Sequence, residues 1–109
     1  GAACWFSGCL TDAFGDLRAW RGGMGLLDGS FCPHFDGESE RAPIYAQSVA
    51  NGVLPAGYAV DDGAAIHFVD GEFSVAVAER EEATVSRFSA SEEPTSSGIL
   101  REELDVTVL

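Results

Sequence analysis

Apolar and polar positions follow two rhythms along this chain of 109 residues. From residue 58 the period is close to two. The stretch YAVDDGAAIHFVDGEFSVAVAE, 58–79, predicts two or three short strands, because alternation marks a half-buried sheet. Asp70-Gly71, flanked by β-formers, predicts a hairpin turn. Residues 83–89 predict another strand, the polar SASEEPTSSG at 89–98 a link, and 99–109 a last edge strand. Earlier the rhythm is helical once. SERAPIYAQSVAN, 39–51, predicts a helix: Ser39 is a fair N-cap, Pro43 falls in the first turn, and Ile44, Tyr45, Ser48 and Val49 share one face. Asn51-Gly52 supplies a left-handed stop. Residues 1–9 read equally as a buried helix or a buried strand. TDAFGDLRAWRGG, 11–23, is broken by three glycines and reads as a loop. MGLLDGSF, 24–31, predicts a short strand ending in Asp-Gly. A helix early and sheet late predict an α/β fold with an antiparallel extension.

The length fits one modest domain. At 46% hydrophobic and 10% aromatic the composition is that of a globular chain. No apolar run approaches the ~20 residues that span a bilayer. Eighteen acidic residues face six basic ones, a net charge of −12. That excludes nucleic acid and anionic membrane surfaces as partners, since both need a basic patch. Three cysteines without framework spacing fit a reducing, cytoplasmic setting. The chain opens on GAACWF without an initiator Met and without a basic leader, so the protein is expected to begin upstream.

The candidate chemistry centres on FCPHFDGE, 31–38. His34 follows Pro33, which biases Cys32 toward an extended conformation. Phe31 and Phe35 are expected to shield the imidazole in a partly dry loop, where its proton affinity can be tuned. The alternative is an ordinary surface or core histidine. His67, in AAIHFV, reads as an outward strand residue. Asp61 and Asp62 precede Gly63 at a strand entry; on a strand their side chains would face opposite ways, one into a site and one to solvent, or both form a solvated turn. Asp12 and Asp16 lie in a Gly-containing loop and read the same way. Cys32-x-His34 with Cys4 and Cys9 offers soft ligands for zinc, though no CxxC spacing supports it. Cys32 and His34, two apart on an extended segment, also share a face as a Cys–His nucleophile pair would.

Together GAACWF, the TDAFG loop, LLDGSFCPHFDGESERAPIY and LPAGYAVDDGAAIHF resemble peptidase family S51, the peptidase E or aspartyl dipeptidase-like proteins of the class I glutamine amidotransferase-like superfamily. The resemblance covers roughly residues 1 to 80. It implies the C-terminal half of a three-layer α/β/α, flavodoxin-like fold. Gly1 would close a G-x-S-A-G turn whose serine precedes residue 1, with Ala2 to Phe6 opening the following helix. His34 would be the catalytic histidine. Asp62 would be the acid, where a glutamate is found in the best-described members, and Asp12 the second candidate. Backbone near Gly1 would help to hold an oxyanion. Arg41 would meet the carboxylate of a substrate with an N-terminal aspartate. The implied reaction is hydrolysis of short peptides by a serine nucleophile, without metal or cofactor, by a protein able to form a homo-oligomer. The alternatives are a non-catalytic binding protein on the same fold and an acyl hydrolase, cyanophycinase-like, acting on a polymer of aspartate and arginine.

Overall fold

The computed structural model describes residues 5–11, 17–36, 40–90 and 99–109. Three short parallel strands form its centre: β1 (Phe6–Thr11), β3 (Leu27–Cys32) and β4 (Gly57–Val60). Parallel strands need a crossover, and the one between β3 and β4 is helix α1 (Arg41–Ala50). Antiparallel strands extend the sheet on both sides. β2 (Arg18–Trp20) pairs with β1; β7 (Val85–Ala90) pairs with β4 and β8 (Ile99–Glu103) with β7. The order is β2-β1-β3-β4-β7-β8. A second sheet, β5 (Ala64–Val69), β6 (Glu72–Ala78) and β9 (Val106–Val108), is ordered β5-β6-β9.

Side-chain alternation sorts the core into two layers. Leu10, Cys32, Ala59 and Phe88 bury one face of the large sheet against Tyr45 and Val49 of α1. Val60 and Val85, with Phe31 and Tyr58, pack the other face against Ala76, Ile66 and Phe73 of the second sheet. Aromatic rings fill this layer: Phe6 stacks on Phe31 at 5.2 Å and Tyr58 on Phe73 at 5.4 Å, with Phe68 edge-on to both Phe6 and Tyr58. The α/β class holds. Among the described residues, however, the layer opposite α1 is a sheet, where the resemblance implies helices.

Local signals explain most elements. Helix α1 buries Arg41, Tyr45 and Val49, one residue per i+4 step. It ends where expected: Gly52 takes φ +79° and its N–H donates to the Val49 carbonyl. Ser39 lies outside the described residues; Glu40 is the N-cap and makes no side-chain cap bond. Asp70 and Gly71, at φ +53° and +81°, form the tight β5–β6 turn that the Asp-Gly pair predicts.

Of the two readings of residues 1–9, the strand holds from Phe6, because β2 and β3 satisfy its backbone from both sides, so Phe6 does not join the helix that the resemblance implies. Three further expectations change. The expected 11–23 loop contains β2, only three residues long and too short to leave a periodic signal. In β3 the Asp28-Gly29 pair does not end the strand. Gly29 adopts φ +104° beside the Ala56 carbonyl, and the register slips there by one residue as a bulge. The expected final strand is two strands in different sheets, β8 and β9, with the Leu104 N–H donating to the Val85 carbonyl at the crossing.

Tyr45 ties α1 to the central sheet. The buried Ser30 hydroxyl donates to the Pro55 carbonyl at 2.6 Å, so the Tyr45 hydroxyl 2.7 Å away donates to Ser30. Burial pushes the phenol's ionisation well above its ordinary value, which keeps it a donor at any ordinary pH. Tyr45→Phe should therefore cost about 1 kcal/mol, the net worth of one buried hydrogen bond. Tyr45→Ala should cost ~3–5 kcal/mol through the cavity it leaves. Urea midpoints at unchanged m-value measure both.

Candidate active site

The carboxyl ends of β3 and β4 lie side by side. Their register pairs Cys32 with Ala59, so the segments that follow leave the sheet together. In open α/β sheets this edge is where ligands bind. After β3 the chain turns sharply at Pro33-His34, and His34 adopts φ +53°. A left-handed non-glycine residue costs about 1–2 kcal/mol, and such strain gathers at functional sites. The turn is held on both flanks. The Phe35 N–H donates to the Val60 carbonyl at 3.0 Å, and the Phe35 ring is buried edge-on against Phe88.

After β4 the chain passes from the large sheet to the small one through Asp61-Asp62-Gly63. The two aspartates part company here. Asp61 is 7% exposed, and one of its carboxylate oxygens accepts from the Thr84 N–H at 2.7 Å and the Thr84 hydroxyl at 2.8 Å. Asp62 turns outward, and its Oδ1 lies 2.5 Å from His34 Nδ1. With a carboxylate as acceptor, Nδ1–H donates. The side chains of this pair are 63% and 52% exposed. The imidazole is thus not shielded as expected: Phe31 lines the cleft beside it, but Phe35 points into the α1 layer.

The cleft is about 210 Å³ and is lined by Phe31, Pro33, His34, Val60, Asp61, Asp62, Gly63 and Ala64. None of these is a serine, threonine or cysteine. It adjoins an apolar groove of about 400 Å³ that shares Phe31, Val60 and Ala64 and continues over Trp5, Phe6, Ile66 and Phe68.

Other sequence candidates fall elsewhere. Cys32 is fully buried in the α1 layer; the strand ends there and the left-handed turn sends His34 another way, so the two do not share a face. Cys9 is also buried, Cys4 lies outside the described residues, and no described group of three or more His, Cys, Asp or Glu is arranged to hold a metal. Arg41 opens α1 at 3% exposure and does not line the cleft. His67 faces outward on β5, as its strand position predicts. Gly1, Asp12 and Asp16 lie outside the described residues.

Two residues that the sequence reading missed stand behind the pair. Asp36 Oδ1 accepts from the Asp62 N–H at 2.8 Å. Arg80 Nη2 donates to Asp36 Oδ2 at 2.7 Å and to the Asp62 carbonyl at 2.9 Å. The Asp62 N–H, and next the Arg80 guanidinium, hold the Asp36 carboxyl below its ordinary value. Its folded-state value being depressed, this contribution is complete above the ordinary carboxylate range and is lost as pH falls through the lowered value.

His34, Asp36, Asp62 and the residues lining the cleft fall within the stretch, 1–76, that matches the model of peptidase family S51; Arg80 and Thr84 lie beyond it. The chain belongs to that family. It is also 45% identical over 92 residues to a Bacillus subtilis (strain 168) protein named "Uncharacterized peptidase YgaJ", a match covering 84% of this chain and 40% of that protein. The chain thus spans well under half of that relative's length. No solved structure matches. Among the described residues no helix is long and apolar enough to cross a membrane.

Proposed function

We propose that the full-length protein is a serine-type peptidase, dipeptidase E-like, that hydrolyses short peptides, those with an N-terminal aspartate first among them. The observation that carries this reading is the His34–Asp62 hydrogen bond at the carboxyl ends of two parallel strands. Asp62 engages Nδ1, which fixes the tautomer and leaves Nε2 for the nucleophile. His34 takes the nucleophile's proton as it attacks the peptide carbonyl, then returns it to the leaving amine. The carboxylate stabilises the imidazolium formed between these steps. Although Asp62 is one methylene shorter than a glutamate, its reach supports the assignment. Asp12 remains the second candidate for the acid.

The nucleophile in this reading is a serine upstream of Gly1, contributed by the part of the protein that the relative's length accommodates. The same part would complete a three-layer, flavodoxin-like domain around β1, β3 and β4, and backbone near Gly1 would face the oxyanion. Arg41 meets a substrate carboxylate only from a site other than the described cleft.

A panel of dipeptides tests this. The full-length protein should hydrolyse Asp-X peptides in the presence of a chelator, and faster than Ala-X or Lys-X. Equal rates across the panel would remove the aspartate preference, and no hydrolysis of any member would remove the peptidase reading.

A further inference from the structure

The Asp61–Gly63 turn is gripped by backbone and side chains of the β6–β7 connection. The Asp61 N–H donates to the Thr84 carbonyl and the Glu79 N–H to the Gly63 carbonyl. Between them lies Asp62, followed by a glycine at φ +83°, so nothing in its own sequence fixes its peptide planes. Both of its backbone polar groups are instead held by one ion pair. Its N–H is bound to Asp36 and its carbonyl to Arg80, and these two side chains are bound to each other.

We propose that Asp36 and Arg80 are positioning residues for the proposed relay: they clamp the Asp62 peptide so that its carboxylate meets His34 Nδ1. The inference rests on the peptidase reading of the same site. Asp36 lies two residues beyond His34, and Arg80 lies 18 residues beyond Asp62. One ion pair thus locks the loop that carries the base to the loop that carries the acid. Its charges suit the place. Asp36, Asp61 and Glu82 would repel one another, and the Arg80 guanidinium attracts all three. As an isolated surface pair it would add little stability. Its effect is orientation, where a misplacement of about 1 Å can cost ~100-fold in rate.

The test uses the full-length protein with Arg80→Ala, Arg80→Lys and Asp36→Asn, and His34→Asn as reference. The first readout is the far-downfield proton resonance of His34 Nδ1–H, which reports the bond to Asp62 without need of turnover. It should be present in the wild type and lost in Arg80→Ala and Asp36→Asn. The second is the split between kcat and KM. Both variants should lose about 10- to 100-fold in kcat with little change in KM. Arg80→Lys can set one ammonium between the same two acceptors and should recover part of each readout. If Arg80→Ala fails to fold, Asp36→Asn, nearly isosteric, decides alone. Wild-type resonance and wild-type kcat in the folded variants would overturn the proposal. Full activity in His34→Asn would instead overturn the reading of His34 as the base, on which the proposal rests, while the resonance in the other variants still reports on the clamp.

Discussion

Replacing His34 in the full-length protein should lower kcat for peptide hydrolysis by ~10^4- to 10^6-fold, about 5–8 kcal/mol of lost transition-state stabilisation. The loss follows from position: His34 is the described imidazole in the cleft, and its Nδ1 is already committed to Asp62. Alanine alone is an imperfect probe, because at φ +53° it adds backbone strain. Asparagine tolerates that conformation and cannot act as a base. His34→Asn should therefore melt near the wild type and be as inactive as His34→Ala. Steady-state rates with thermal melts on the same samples check this, and a His34→Asn enzyme turning over near the wild-type rate contradicts it.

The adjacent aspartates should respond to substitution in opposite ways. Asp62→Asn replaces an acceptor with an amide whose N–H can bond to Nδ1 and impose the wrong tautomer. In buried triads such a change costs ~10^4-fold in kcat. Asp62 is 52% exposed, and solvent screening reduces what its charge contributes, so a loss nearer ~10^3-fold is expected here. Its melting temperature should hardly move. Asp61→Ala strips two hydrogen bonds from Thr84 and leaves part-buried donors behind, which should cost ~1–2 kcal/mol of stability. The two effects separate in one experiment, with kcat and denaturation midpoints measured side by side. If Asp61 carried the larger loss in kcat and Asp62 the larger loss in stability, their roles would be reversed.

Sequence patterning reached the elements whose signals are local. Helix α1 has a face of correct spacing and a glycine stop, and the β5–β6 hairpin has its Asp-Gly turn. It did not reach elements defined by distant partners. β2 exists because β1 offers it a ladder, and β9 leaves β8 because Ala76–Ala78 supply another edge. Nothing in ILREELDVTVL marks that change of sheet. The site divides in the same way. Residue types and spacing left Asp61 and Asp62 equivalent; family resemblance singled out Asp62; Thr84, 23 positions from Asp61, explains why the neighbour is structural. The shielding expected of Phe35 failed because the left-handed turn at His34 sends that ring into the α1 layer. Arg80 falls between the strands predicted over 58–79 and 83–89, and its partner Asp36 lies 44 positions away.

A double-mutant cycle tests the coupling of base and acid most directly. In the full-length protein, kcat is compared for His34→Asn, Asp62→Asn and both together. Residues that act as a unit are strongly non-additive, so the double variant should be no slower than His34→Asn alone. Losses that multiply, each substitution exacting its full cost in the presence of the other, would show that Asp62 does not act through His34.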